Sequence, residues 1–409
     1  MKTKKPLIPR LRFPEFKNTG EWEVKWLGEV LSESKIPSEE NDPTKRITVR
    51  LNLNGVEKRE YKGTEAKSAT HFYKRKAGQF IYGKQNFHKG AFGIIPKELD
   101  GYESSSDLPA FDFREKNEPK YIFYFLSQES VYTSAEAYTK GTGSKRLNEK
   151  TFLKFSIPLP PLPEQQKIAG FLSNLDEWLA AEEEKLTLLE TYKKGLLQNL
   201  FPREGETLPK LRFPEFQNSG EWEVKRLGEV GEFFGGGTPS TRKSEYWDGN
   251  INWFTPTEIK NRYVTESIRK ITKLGLDNSS AKLLPVGSIL ITSRATIGDC
   301  AIALAECSTN QGIQSLVVNK KYNNIFIYYW IYSNKNIFIK KSSGSTFSEI
   351  NKSAMKSIKI IAPTLPEQQK IAGCLSALDE QIEAQRQKVE QLREHKKGLL
   401  QNLFPKFEF

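Results

Sequence analysis

Leu162-Pro-Glu-Gln-Gln-Lys-Ile-Ala-Gly170 recurs unchanged as Leu365 to Gly373, so the fold must place the same segment twice. In each copy the proline suits a first helical position, and the glutamate after it meets the positive end of the helix dipole. Apolar residues then follow at three- and four-residue steps. They are Ile168, Leu172, Leu175, Leu179, Leu186, Leu189, Leu196 and Leu200 in the first copy, and Ile371, Leu375, Leu378, Ile382, Val389, Leu392, Leu399 and Leu403 in the second. Two polar breaks also coincide, Glu182 with Gln385 and Lys193 with Lys396. A seam sustained over four or more heptads wants a coiled-coil partner, and polar breaks help fix its register. The pattern predicts two long helices, 163–201 and 366–405, each satisfying the other.

Outward from these helices the duplication continues. Lys193 to Pro202 recurs as Lys396 to Pro405 at the same offset of 203, and Leu11 to Phe16 with Glu21 to Lys25 recurs as Leu211 to Phe216 with Glu221 to Lys225 at an offset of 200. The repeat is about half of the 409-residue chain, far above the roughly 20–50 residues of solenoids and propellers. Between the matched ends lie two divergent stretches, about 26–158 and 226–361. They remain distantly related: Gly78-Gln-Phe-Ile-Tyr82 aligns with Gly287-Ser-Ile-Leu-Ile291, and Gly141, Leu147, Asn148, Phe152, Phe155 and Ile157 fall 203 positions before Gly344, Ile350, Asn351, Met355, Ile358 and Ile360. Apolar character survives while identity is lost, as expected of one fold carrying two surfaces. Strands are predicted at Gln79 to Tyr82, Ser288 to Thr292 and Ile313 to Val318, with a helix near Pro119 to Ser130 and a counterpart around Ile325.

The predicted fold class is therefore mixed α/β (α+β): globular domains at 1–162 and 202–365, joined by two long antiparallel coiled-coil helices with pseudo-two-fold symmetry. The antiparallel sense follows from connectivity, because each helix leaves one domain and ends near the start of the other. At 1.5 Å per residue each helix spans roughly 50–55 Å, about one and a half turns of B-DNA at roughly 34–36 Å per turn.

A formal charge of +12 and a pI near 9.2 favour a polyanionic partner. Cys300, Cys307 and Cys374 lack metal spacing and His71, His88 and His395 are scattered, so no metal site is expected. No apolar run reaches the length of a membrane span. A soluble, cytoplasmic chain is the expectation.

These segments resemble the specificity (S) subunit of type I restriction-modification systems. The resemblance rests on the paired Leu-Pro-Glu-Gln-Gln-Lys-Ile-Ala segments, each after an Ile-Pro or Ile-Ala-Pro run, and on the Leu175-Asp176 and Leu378-Asp379 pairs that follow. The Gly-Leu-Leu-Gln-Asn-Leu-Phe-Pro ends fit as well, as does Gly235-Gly-Gly-Thr-Pro-Ser240 with Tyr246-Trp247 and Trp253. The resemblance implies that the divergent stretches are target-recognition domains, each reading one half of a bipartite, asymmetric site on double-stranded DNA. It implies helices that set the spacer and dock two modification (methyltransferase) subunits bearing S-adenosylmethionine, joined by two restriction (translocase and nuclease) subunits using ATP and Mg²⁺. No cofactor and no catalytic residue are expected in this chain. Accordingly, it carries no Asn/Asp-Pro-Pro-Tyr/Phe methylation motif and no nuclease-type Asp…Glu-x-Lys cluster. Gly78 to Gln85 imitates a phosphate loop but ends in Gln85, where a Mg²⁺-binding hydroxyl is needed.

Base reading requires Arg or Lys for guanine and Asn or Gln for adenine, set among phosphate contacts. In the first domain Lys84, Gln85, Asn86, His88 and Lys89 supply these types after a predicted strand; Arg294 and Thr296 occupy the corresponding stretch of the second. Two equivalent Gly/Ser loops, with Lys140, Thr142, Ser144, Lys145 and Arg146 in one and Lys340, Lys341, Ser345 and Thr346 in the other, suit close approach to phosphate. A third group is Thr238, Ser240, Thr241, Arg242 and Lys243 with Tyr246, whose ring also suits a core. Lys193-Lys194 and Lys396-Lys397 read as charge complements of helix C-termini. Rival readings are an enzyme with its active site in the variable domains, and a duplicated scaffold outside restriction.

Overall fold

A strand from the start of each repeat pairs antiparallel with the strand that leads into its long helix. In the computed structural model, which describes residues 7–63, 71–114, 116–141, 145–342 and 348–407, Glu23–Trp26 pairs with Ser156–Leu159, and Glu223–Arg226 pairs with Lys359–Ala362. The long helices run Leu162–Asn199 and Leu365–Leu403. The chain divides into two units, Met1–Glu183 with Gln387–Phe409, and Glu184–Arg386. Each unit thus holds the first part of one long helix beside the last part of the other.

In the first unit Leu172 and Leu175 are buried in one core with Leu392, Leu399 and Leu403, and Leu179 packs against it. In the second, Leu375, Leu378 and Ile382 share a core with Leu196 and Leu200, with Leu186 and Leu189 packed against them. Val389 is buried as well. Of the predicted seam residues, Leu179, Leu186 and Leu189 are partly buried and the rest buried. The helices run antiparallel within each unit: Asp176 meets Lys396, and Glu182 meets Lys388 at 2.6 Å, while in the second unit Lys193 meets Asp379 at 2.5 Å and Glu190 meets Arg386 at 2.8 Å. Numbers climb along one helix as they fall along its partner. Lys193 and Lys396 therefore do more than complement a helix dipole: each reaches across to an aspartate of the repeated Leu-Asp pair.

The first variable region is built on a four-stranded antiparallel sheet in the order Leu31–Ser34, Ala110–Phe113, Phe80–Tyr82, Phe92–Ile94. Phe80, Tyr82, Phe87 and Phe111 pack around Phe152 in an aromatic core, with Phe92 against Phe80 and Phe87. The predicted helix spans Pro119–Leu126, breaks at Ser127, and resumes as Glu129–Ser134. The second region has a five-stranded sheet ordered Gly231–Gly235, Ile313–Val318, Ile289–Thr292, Cys300–Ala303, Tyr263–Val264, with only the last pair parallel. Beside it lies a three-stranded sheet around Trp247–Phe254. Its helix, Asn324–Ser333, is the counterpart of Pro119–Leu126.

Candidate nucleic-acid interface

The repeated segments hold each variable domain against its helix. The Arg12 guanidinium donates to both Glu164 oxygens at 2.7 and 2.8 Å, and Arg212 does the same to Glu367 at 2.8 Å for each bond. Both carboxylates are almost fully buried. A two-bond guanidinium–carboxylate fork fixes orientation as well as charge. One residue on, Gln165 donates to the Pro160 carbonyl at 2.9 Å and accepts from the Glu118 amide at 3.0 Å; Gln368 does likewise with Pro363 and Asn323 at 2.8 and 2.9 Å. About three turns further along, Asp176 accepts from the Tyr124 hydroxyl at 2.7 Å, and Asp379 from Tyr329 at 2.5 Å. Burial raises both tyrosine pKa values, keeping the hydroxyls protonated as donors. Phe404 closes on Trp22 and Tyr121 in the first unit, as Phe201 closes on Phe326 in the second. The unchanged part of the sequence is thus a frame, and the frame consumes its own polar groups.

The loops at one end of each main sheet are left to vary. In the first unit the Leu147 amide donates to the Lys84 carbonyl at 2.8 Å, and Lys140 and Arg146 bridge backbone to backbone. This brings the 84–89 segment beside the 140–146 loop. In the second unit the Ile350 amide donates to the Ser293 carbonyl at 3.1 Å, and Arg294 bridges Glu349. The 294–296 turn thereby adjoins residues 349–350. In the first unit the two candidate segments, remote in sequence, thus meet at one sheet end, and in the second the 293–294 segment meets residues 349–350 at the equivalent place. Thr142, Ser144, Ser345 and Thr346 lie outside the described residues.

Within these clusters the candidates are not equally free. Gln85, Lys89, Lys140, Lys145, Lys340 and Lys341 are exposed, whereas Asn86 and His88 are half-buried in a tight turn. Lys84 is paired with Glu149 at 2.7 Å and mostly covered, so its charge is already answered within the domain. Arg146 pairs with Asp107 at 3.3 Å and Arg294 with Glu349 at 2.9 Å, both at exposed positions where such pairs yield readily to a competing anion. Thr296 is exposed in the turn after Arg294. Thr238, Ser240, Thr241, Arg242 and Lys243 are exposed too. Tyr246 is not: its ring is 5% exposed in a small core with Trp247 and Trp253, and its hydroxyl takes the Lys243 ammonium at 2.9 Å. It supports the loop from below.

Sequence reading passed over the turn Asn310-Gln311-Gly312. The Ser293 amide donates to the Gly312 carbonyl at 2.8 Å, and the Thr238 hydroxyl donates to Gln311 Oε1 at 2.6 Å, so this turn joins two of the second domain's three candidate groups. An Asn-x-Gly between two apolar strands was its available signal. Its counterpart contains Asp107, whose carbonyl accepts from the Lys84 amide at 3.0 Å. Among the described residues no cluster of His, Cys, Asp and Glu suits a metal, and no helix is long and apolar enough to cross a membrane.

Comparison with known proteins agrees with the duplication. The family model for the type I restriction modification DNA specificity domain matches twice, at residues 19–191 and 219–394. A curated relative, the type I restriction enzyme MjaIX specificity subunit of Methanocaldococcus jannaschii, is 38% identical over 194 residues, covering 46% of this chain and 45% of the relative. The chain thus matches about half of that relative's length. Two solved structures share the fold. One, the type I restriction-modification S subunit from M. genitalium, has a TM-score of 0.61 at 14% identity, covering 98% of this chain and all (100%) of the other. The other, from work on complex assembly and conformational transition of the type I system, has a TM-score of 0.56 at 21% identity, covering 94% and 97%.

Proposed function

The chain belongs to the type I restriction-modification DNA specificity family, and from that premise we propose that its two variable domains each read one half of a bipartite, asymmetric duplex site. The observation carrying this reading is the division of labour within each unit. Repeated residues close a frame of buried pairs, while the loops that differ cluster at one sheet end with exposed Arg, Lys, Gln and Thr. Those side-chain types bond phosphates and base edges.

In this reading the long helices set the spacer between half-sites and dock two modification subunits. Those subunits carry S-adenosylmethionine and methylate adenine; two restriction subunits supply ATP- and Mg²⁺-dependent translocation and cleavage. The chain itself recognises and does not catalyse, and it works in the cytoplasm. Its net charge of +12 supports a sequence-independent attraction to DNA beneath the specific contacts.

The test is to co-express the chain with its cognate modification subunit and sequence the host methylome. A bipartite methyl-adenine motif absent from the control is expected. A soluble complex that leaves the methylome unchanged contradicts the reading.

A further inference from the structure

We propose that Gln311 reads an adenine in the half-site of the second domain, with Thr238 holding its amide in place. The inference deepens the proposed function and rests on it.

The backbone around Gln311 is fixed on every side. Gly237 donates to the Thr309 carbonyl at 2.8 Å, Asn310 donates to the Phe254 carbonyl at 3.0 Å, and Asn310 Oδ1 accepts from the Gly312 amide at 2.9 Å. Chain packs on chain so closely that a Cβ on Gly236 would overlap the Asn310 carbonyl, and one on Gly237 would overlap Ser280. Asn310 spends its acceptor on this turn. Gln311, exposed at the tip, does not.

The bond from Thr238 is the one hydrogen bond of the Gln311 side chain among the described residues. It occupies one lone pair of Oε1, leaving the second lone pair and both Nε2 hydrogens without a partner among the described residues. An amide so held matches the adenine edge in the major groove, accepting from N6–H and donating to N7. Fixing the rotamer beforehand lowers the ordering cost of that contact. Arg294 stands on the neighbouring strand end, beside Ser293 whose amide meets Gly312. In the first domain the corresponding turn carries Asp107, a carboxylate that cannot donate to N7, so the two domains present different chemistry at equivalent places.

Gln311→Glu is the sharpest test, since it keeps length and the Thr238 acceptor but removes both N–H donors. In the complex with the modification subunit, methylome sequencing should show one position becoming degenerate in the half-site that survives replacement of residues 27–157. Adenine preference there should fall by roughly 5- to 150-fold. Thr238→Val, which leaves Gln311 in place, should weaken the same position and no other. An unchanged motif, a uniform fall in methylation at every site, or a change in the other half-site would overturn the inference. A wild-type complex without any bipartite motif would instead remove the specificity reading, and this inference with it.

Discussion

The two units solve one problem with shared parts and another with private ones. Fixing a domain to a helix is done identically: Arg12–Glu164 and Arg212–Glu367, Gln165 and Gln368, Asp176 and Asp379. Holding the loops at the sheet end is done differently. In the first unit the buried Arg75 guanidinium donates to Ser104 Oγ, the Ser34 carbonyl and the Leu108 carbonyl at 2.7, 2.8 and 3.1 Å, fixing the turn that contains Asp107. Burial without a carboxylate partner pulls its pKa down to about 10, still high enough to stay charged. Among the described residues of the second unit no arginine is as deeply buried; there, glycines at 236 and 237 let backbone pack on backbone. A frame that must serve any reading surface is kept, and the supports of each surface are free to change with it.

That contrast can be broken experimentally. The largest effects belong to the frame. Glu164→Ala and Glu367→Ala each strand a buried guanidinium, and each should cost about 3–5 kcal/mol in chemical denaturation. A large loss from one and none from the other would mean that the two frames are not equivalent. Next come the private supports. Arg75→Met removes the side-chain donor of the Ser34 carbonyl and leaves the Ser104 hydroxyl bond to the Leu108 carbonyl as the remaining tie, so it should cost about 1–3 kcal/mol, while Gly236→Ala forces strands apart and should cost about 1–3 kcal/mol. Limited proteolysis should find the first change opening residues 72–113 alone and the second opening residues 231–318 alone; cross-effects would refute private supports. The smallest effects are at the helix pair. Asp176→Asn weakens one partly exposed ion pair and Asp379→Asn two, with Lys193 and Arg262, so about 1 kcal/mol or less is expected per pair, shrinking further as salt is added. A salt-independent loss would locate their role in the tyrosine hydrogen bond.

Much of the frame was legible because it repeats. The seam from Leu172 to Leu392, the strands near Phe80 and Ile289, and the strand Ile313–Val318 stand where periodicity put them. What Lys193 and Lys396 do was not legible: spacing marks them as shared polar breaks, but only the antiparallel pairing shows that each meets the other helix's aspartate. The candidate interface was legible in residue type and not in company. That Lys84 meets Leu147, or Ser293 meets Ile350, follows from sheet order, which no local pattern encodes. Lys84's pairing with Glu149 and Tyr246's burial are likewise tertiary outcomes. Gln311 lay outside the repeats and within a turn that reads as an ordinary connection until Thr238 is seen against it.

The central claim is that recognition is split between two independent domains on one frame. Replacing residues 27–157 with the same stretch of a relative, and sequencing the methylome of the assembled complex, tests it most directly. The account predicts a motif in which one half-site is new while the other half-site and the spacer length are retained. A motif changed in both half-sites would contradict it.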